Sequence, residues 1–356
     1  MFLSRYIRIS HAIVCGLLIL ILYFVEPMVR TEEYAIGDTM PSSKFKIQPK
    51  VPGWNQYIKE HVTSRIVRVP LTPFRAPLIT LPTPDKLSDF LIYDPNRLPT
   101  VRDQGDCGAC WAFAICDILA INALIQTAGG VRSSLSVQYL LGCYKPHGCN
   151  GGSPEDAAMW ILDNQRSLPL DVKVPYKQSK GGTVMQCPIS SGVSIGVRDV
   201  FSIVQFIPET GYDEEVLHNN IKRMKQSITV NGPIYAAMTV YDDLFEYDGS
   251  RVYEKSEAAS IIGGHAISII GYCDPWVDPR EGFTNGYWIC RNSWGLNWPT
   301  KSYTKGYFTI KMGVNMCGIE SRCGFAIAKV SGYIQGGSRL SLRDIQISSI
   351  NRYLKI

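Results

Sequence analysis

Cys110 stands directly before the run WAFAICDILAINALI, whose apolar residues recur at helical spacing. The run predicts a helix with a cysteine on its first turn. A thiol there feels the positive end of the helix dipole, which stabilises the thiolate, the form of cysteine that acts as a nucleophile. A dipole alone lowers a thiol pKa only in part, so a nearby imidazolium is wanted. Of the five histidines, His265 is the best placed. It starts the apolar run HAISIIGY after Gly263 and Gly264, which let another segment approach closely. His11 borders an apolar N-terminal run, His61 lies in a proline-rich stretch, His147 sits between two cysteines, and His218 is on a polar stretch. Each of these four reads as solvated or structural.

The length of 356 residues allows about two domains or lobes at roughly 150 residues each. An apolar content of 46% with 19% charged residues supports a globular core and excludes wholesale disorder. A net charge of +5 is too mild to suggest nucleic acid as a partner. No period recurs along the chain, so collagen, coiled coil and solenoid are excluded. Eleven cysteines are too few for a small disulfide scaffold but point to an oxidising compartment.

Residues 12–29 form an apolar segment, with Arg5 and Arg8 before it and Glu32, Glu33 and Asp38 after it. Its length is near the lower limit of about 17 residues for a spanning helix. The positive flank predicts residues 1–11 as a short cytoplasmic tail, 12–29 as a transmembrane signal-anchor, and the remainder as lumenal or extracellular. A cleaved signal peptide, giving a secreted or lysosome-like protein, and a buried core helix are the alternatives. Cys15 lies within this segment, and no Asn-x-Ser/Thr acceptor occurs anywhere. Residues 30–88 are rich in proline, and only VPGWNQYIKEHVTSRIVRV looks able to order. This stretch reads as a linker or pro-segment, either a stalk or an inhibitor.

Residues 104–113 read QGDCGACWAF, and C-G-[SA]-C-[WY] is the local signature of the papain and cathepsin cysteine proteases. GCNGG at 148–152, GGHAISIIGY at 263–272, NSWG at 292–295 and NMCGI at 315–319 follow in order. Over roughly residues 88–332 the chain resembles a papain-like cysteine protease. Two other readings of Cys107-x-x-Cys110 are weaker. A zinc site lacks a second C-x2-C pair, since Cys143 and Cys149 are too far apart. A redox pair needs no distant His and Asn blocks.

The resemblance implies an α+β fold of two lobes with the active site in the cleft between them. The peptidase domain would span 89–335, with an α-rich lobe at about 105–200, a β-rich lobe at about 201–332, and a C-terminal tail at 336–356. That basic tail, SRLSLRDIQISSINRYLKI after Gly336-Gly337, either adds a strand or stays a tail. The resemblance makes Cys110 the nucleophile and His265 its acid–base partner. Asn292 would accept a hydrogen bond from His265 under the shield of Trp294, and Gln104 would join the Cys110 backbone N–H in holding the oxyanion. His265 and Asn292 lie further downstream than the roughly 130–150 residues usual for the family. The extra length includes the insert at 273–286.

The resemblance also implies disulfides Cys107–Cys149 and Cys143–Cys187. It implies backbone hydrogen bonds to substrate from Gly151 and Gly152, and Trp298 on the leaving-group side. Ser153, Pro154, Ala237, Gly263 and Ala266 would wall the pocket for the side chain two residues before the cut. The floor residue, five after Cys317, is Arg322, where cathepsin B-like enzymes hold an acid. An arginine there can pair a substrate carboxylate bidentately. Alternatively it swings to solvent, or a Cys317–Cys323 bridge reshapes the floor. Cys317 has no partner shortly before His265 and is left to pair with Cys323, Cys273 or Cys290, or to stay free. Cys116 reads as core.

GGHAI and CGIES are similar to the cathepsin B branch. Residues 188–217 hold no histidine for that branch's occluding loop, so the expected activity is endopeptidase. No cofactor or metal is required, and the expected partners are protein or peptide substrates and the membrane through 12–29. A monomer is expected. The alternative function is an inactive papain-like binding protein.

Overall fold

The structure is a computed structural model that describes residues 87, 90–144, 148–177, 192–278, 282–284, 286–300, 305–332 and 346–347. The membrane segment at 12–29, the stretch 30–86 and Cys187 lie outside these residues. Among the described residues, no helix is long and apolar enough to cross a membrane.

The predicted nucleophile helix is present as α1 (Cys110–Gln126), and its residues 110–124 are all buried. A helix apolar on nearly every side can only be stable at the centre of a fold. Here α1 packs against α2 (Val137–Cys143) and α3 (Pro154–Asp163) on one side. On the other it meets strands of a large sheet. The Ser136 hydroxyl caps α2 by accepting from the Tyr139 N–H at 3.0 Å. Ser153 caps α3 in the same way, with Pro154 at its first turn and Glu155 and Asp156 at its positive end.

The sheet has nine strands among the described residues. They are β1 (Phe90–Tyr93), β2 (Ser167–Pro169), β3 (Ser194–Ser202), β4 (Ile234–Tyr241), β5 (Ile261–Cys273), β8 (Tyr287–Arg291), β9 (Tyr307–Lys311), β10 (Cys323–Ser331) and β11 (Gln346–Ile347). The order is β11-β1-β5-β4-β10-β3-β2, with β8 on β5 and β9 on β8. The insert at 273–286 carries a separate hairpin, β6 (Trp276–Asp278) with β7 (Gly282–Thr284). Between β3 and β4 lies α4 (Glu214–Val230), capped by Asp213. It buries Leu217, Met224 and Ile228, positions that fall on one helical face.

The two lobes are not two uninterrupted stretches of chain. β1, before the α-rich part, pairs with β5 of the sheet, and Gly271 makes the close approach possible: a Cβ there would strike the backbone of Leu91 and Ile92. β11 then pairs with β1, so part of the C-terminal tail extends the sheet. The Gln346 amide donates to Tyr93 Oη at 2.8 Å and the Thr229 carbonyl at 2.9 Å.

Polar residues of α1 hold it to the sheet. β10 slips register between Ile327 and Ala328 in its pairing with β3. A bulge of this kind takes backbone groups out of the ladder. Asn122 Oδ1 accepts from the Ala328 N–H at 2.8 Å, and Gln126 Nε2 donates to the Ala328 carbonyl at 2.9 Å.

Candidate active site

Cys110 is the first residue of α1, where backbone N–H groups have no partner within the helix. His265 lies on β5 opposite Met238 of β4. β8 runs antiparallel to β5 with Arg291 opposite Ser268, which carries Asn292 and Trp294 back toward His265. His265 Nε2 lies 2.8 Å from Asn292 Oδ1, which also accepts from the Ser293 N–H at 2.8 Å. An amide oxygen can only accept, so Nε2 carries the proton and Nδ1 keeps its lone pair. Nδ1 is buried and has no hydrogen-bond partner among the described residues. The backbone N–H groups of Ala266, Trp111 and Cys110 itself favour the Cys110 thiolate, and Ala266 follows His265 on β5.

Trp294 covers the His265 ring, with centroids 4.9 Å apart, and is itself stacked on Phe245 at 5.3 Å and packed on Trp298 at 4.7 Å. Excluding water strengthens the hydrogen bond beneath. Trp298 further meets Phe308 and Tyr247. Its position is therefore that of a support behind Trp294.

Gln104 is fully buried and bound at both ends of its amide. Its Nε2 donates to the Cys107 carbonyl at 2.8 Å, and its Oε1 accepts from Ser293 Oγ at 2.6 Å. The Gln104 backbone N–H bonds the Ser293 carbonyl at 2.8 Å, and Asp103 pairs with Trp294 as an isolated bridge. Ser293, Phe245 and Tyr176, which donates to the Gln104 carbonyl at 2.7 Å, were not singled out by sequence reasoning. Only the adjacency of Ser293 to Asn292 was a signal for any of them.

Burial pushes the Cys110 thiol up to about 11 against the pull of its three backbone donors. Burial also lowers His265 to about 4, against the stabilising bond that its Nε2–H donates to Asn292 Oδ1. For each group desolvation is the larger influence and the local hydrogen bonds the smaller.

Cys107 and Cys149 form the expected disulfide. Cys143 is also disulfide-bonded. The bridge draws the glycine loop onto the nucleophile turn, where the Gly108 N–H bonds the Cys149 carbonyl at 2.9 Å. Trp111 Nε1 donates to the Gly148 carbonyl at 3.0 Å, and Gly152 lies flat on the Trp111 ring. Gly151 has φ +102. Ser153 and Pro154 are buried at the start of α3, and the Ser153 hydroxyl is committed to its cap. Ala237 pairs with Ala266 across β4 and β5, beside Thr239–Gly264 and Val240–Gly263.

Arg322 follows a turn, Met316–Ser321, in which Cys317 and Gly318 adopt left-handed backbone, as does Asn315 just before it. The turn is held by Glu320, a buried carboxylate accepting from Trp288 Nε1 (2.9 Å), Gly313 N–H (2.8 Å) and Asn315 N–H (2.6 Å). Arg322 neither swings to solvent nor sits beside a bridge. Its side chain is 4% exposed, and Cys317 and Cys323 are separate buried thiols, as are Cys116 and Cys290. The Arg322 carbonyl accepts from the Ala237 N–H at 2.9 Å, which brings it to the proposed wall. Its Nη2 lies 3.5 Å from Glu209 Oε1. His218 is exposed on α4. No cluster of metal-binding side chains is found among the described residues.

A family model for the papain family cysteine proteases matches residues 91–327. A gut-specific cysteine proteinase of Caenorhabditis elegans is 32% identical over 246 residues, covering 66% of this chain and 70% of the relative. Cathepsin B-like cysteine proteinase 4 of the same organism is 26% identical over 354 residues, covering 90% of this chain and all of the relative (100%). Among solved structures, procathepsin B S9 from Trypanosoma congolense matches with TM-score 0.60 at 20% identity, over 76% of this chain and 88% of that one. At that identity the structural match speaks to the fold.

Proposed function

This chain belongs to the papain family of cysteine proteases, with cathepsin B-like relatives, and from that premise we propose that it is an endopeptidase working through Cys110 and His265. The carrying observation is the 2.8 Å bond from His265 Nε2 to Asn292 Oδ1 beneath Trp294. It leaves the basic Nδ1 as the atom that can take the Cys110 proton.

When substrate enters, the proton moves from Cys110 Sγ to His265 Nδ1. The thiolate forms a bond to the scissile carbonyl carbon, and the C=O electrons become the oxyanion. The Cys110 N–H and the Gln104 side-chain amide hold that charge. Collapse breaks the C–N bond, and the amine leaves with the proton from Nδ1. Water then attacks the thioester while Nδ1 takes its proton, and the thiolate departs from the released acid. Asn292 keeps the imidazole in the orientation and tautomer both halves need.

Gly151 and Gly152 are read as backbone partners of an extended substrate strand. The reading includes a preference for acidic or polar side chains two residues before the cut, supported by the burial of Arg322 beside Ala237. Residues 12–29 are read as a signal-anchor that leaves the peptidase domain lumenal or extracellular, supported by the charges flanking that segment.

The test treats the protein and its Cys110→Ala variant with an epoxysuccinyl peptide at pH 5 and pH 7, followed by intact mass. One inhibitor mass on the parent alone is expected, together with cleavage of a protein substrate at internal bonds. No adduct at either pH, after removal of residues 30–88, would replace the protease reading with an inactive binding fold.

A further inference from the structure

We propose that Glu209 is a specificity-determining residue: its carboxylate occupies Arg322 from within the chain, and a substrate acid two residues before the cut must take Arg322 over from it. The inference deepens the proposed function and rests on Arg322 as the pocket floor.

Alternation along β4 puts Ala237, Thr239 and Tyr241 on one face of the strand. Ala237 adjoins Arg322 through its N–H. The hydroxyl of Thr239 donates to Glu209 Oε1, and that of Tyr241 donates to Oε2 at 2.9 Å. Glu209, from the loop between β3 and α4, is therefore fixed to the strand that walls the pocket. Its side chain is 23% exposed against 4% for Arg322, so the carboxylate is the partner nearer to solvent.

The Arg322–Glu209 contact leaves most of the guanidinium unused. At 3.5 Å through Nη2 alone it is at the long limit of a hydrogen bond, far from a bidentate pair. Nε and Nη1 are buried without a partner among the described residues. A buried arginine so poorly satisfied gains from a carboxylate that fills its open donors. That carboxylate also meets the charge of Glu209, which opposes it. A neutral glutamine meets no such repulsion. Phe206, 6.0 Å from the guanidinium and 43% exposed, adds an apolar side to the same region. The pocket is thus polar and internally neutralised, and Glu209 sets how strongly it distinguishes an acid from its amide.

The experiment uses the full-length chain after its own maturation, with active sites counted by epoxysuccinyl titration. Fluorogenic peptides differing only in Glu, Gln or Arg two residues before the cut are compared on the parent, Glu209→Gln and Arg322→Met. The expected result is a modest Glu/Gln ratio of kcat/KM in the parent and a rise of about tenfold in Glu209→Gln, the size of one charge-assisted hydrogen bond. Arg322→Met abolishes the preference. Titratable enzyme whose ratio is unmoved by Glu209→Gln overturns the inference. So does a parent that prefers Arg and loses that preference in Glu209→Gln, since Glu209 would then read the substrate directly. Absence of any titratable site in the parent overturns the inference together with the protease reading, and is recognised by the missing adduct.

Discussion

Arg291 and Asp117 form a buried ion pair, Nε to Oδ2 at 2.6 Å, joining the strand that leads into Asn292 to the helix that begins at Cys110. The guanidinium is filled at every nitrogen. Nη1 donates to Tyr307 Oη at 2.7 Å and Nη2 to the Thr100 carbonyl at 2.9 Å. Arg102 lies 3.7 Å from the other Asp117 oxygen and bonds Asp171 at 3.0 Å. The network fixes the nucleophile helix relative to the strand that orients His265.

Removing one member of this pair strands a charge in the core. Arg291→Met is expected to cost about 3–5 kcal/mol in urea unfolding, while Arg291→Met with Asp117→Leu recovers more than half of that loss. If the double variant is as unstable as the sum of the singles, the pair is not what holds this interface.

Gln104→Ala removes a donor to the developing oxyanion. A fall in kcat of about 10²–10³ with KM little changed is expected. Ser293→Ala, which frees Oε1 and loosens the amide without deleting it, should fall by about tenfold. Equal losses in KM and none in kcat would show that Gln104 acts only in binding.

Gly152 has no room for a side chain. A Cβ there would sit 2.7 Å from Trp111 Cδ2 and 2.8 Å from Cε2. Gly152→Ala should destabilise the protein by about 1–3 kcal/mol and weaken substrate binding, because the loop or the ring must shift. Unchanged stability and KM would show that the loop yields at no cost.

His265 gives the folded protein a specific acid response. Its pKa is lowered from 6.5 to about 4 by burial, opposed in part by Asn292. The unfolded chain therefore binds more protons in that window, and stability present above pH 6.5 is lost as pH falls toward 4. Stability of the parent minus that of His265→Gln should fall by up to about 3 kcal/mol over this range. A difference independent of pH would show that the imidazole is already solvated.

The Cys107–Cys149 bridge spans 42 residues. Cys149→Ser should lower stability by about 4 kcal/mol on the loop-entropy estimate and slow Cys110 alkylation or hydrolysis less than it lowers stability. A full loss of activity in still-folded protein would make the bridge a positioning device for Gly151 and Gly152.

The residues of the site were legible because their signals are local. A cysteine before an apolar helical run, a histidine opening an apolar strand after two glycines, and the NSWG block each stand within a few consecutive residues. The sequence by itself determined the nucleophile helix and the order of the motifs, and the family resemblance those motifs carry implied the Cys107–Cys149 pairing. Tertiary structure decided the rest, since the deciding partners are far apart in the chain. Asp117 meets Arg291, Asn122 meets a bulge at Ala328, and Arg322 meets Glu209. Strand register and loop path create these pairs, and neither is written in local periodicity. The burial that pushes the Cys110 thiol up and the His265 imidazole down was beyond sequence for the same reason: it is a property of the assembled fold.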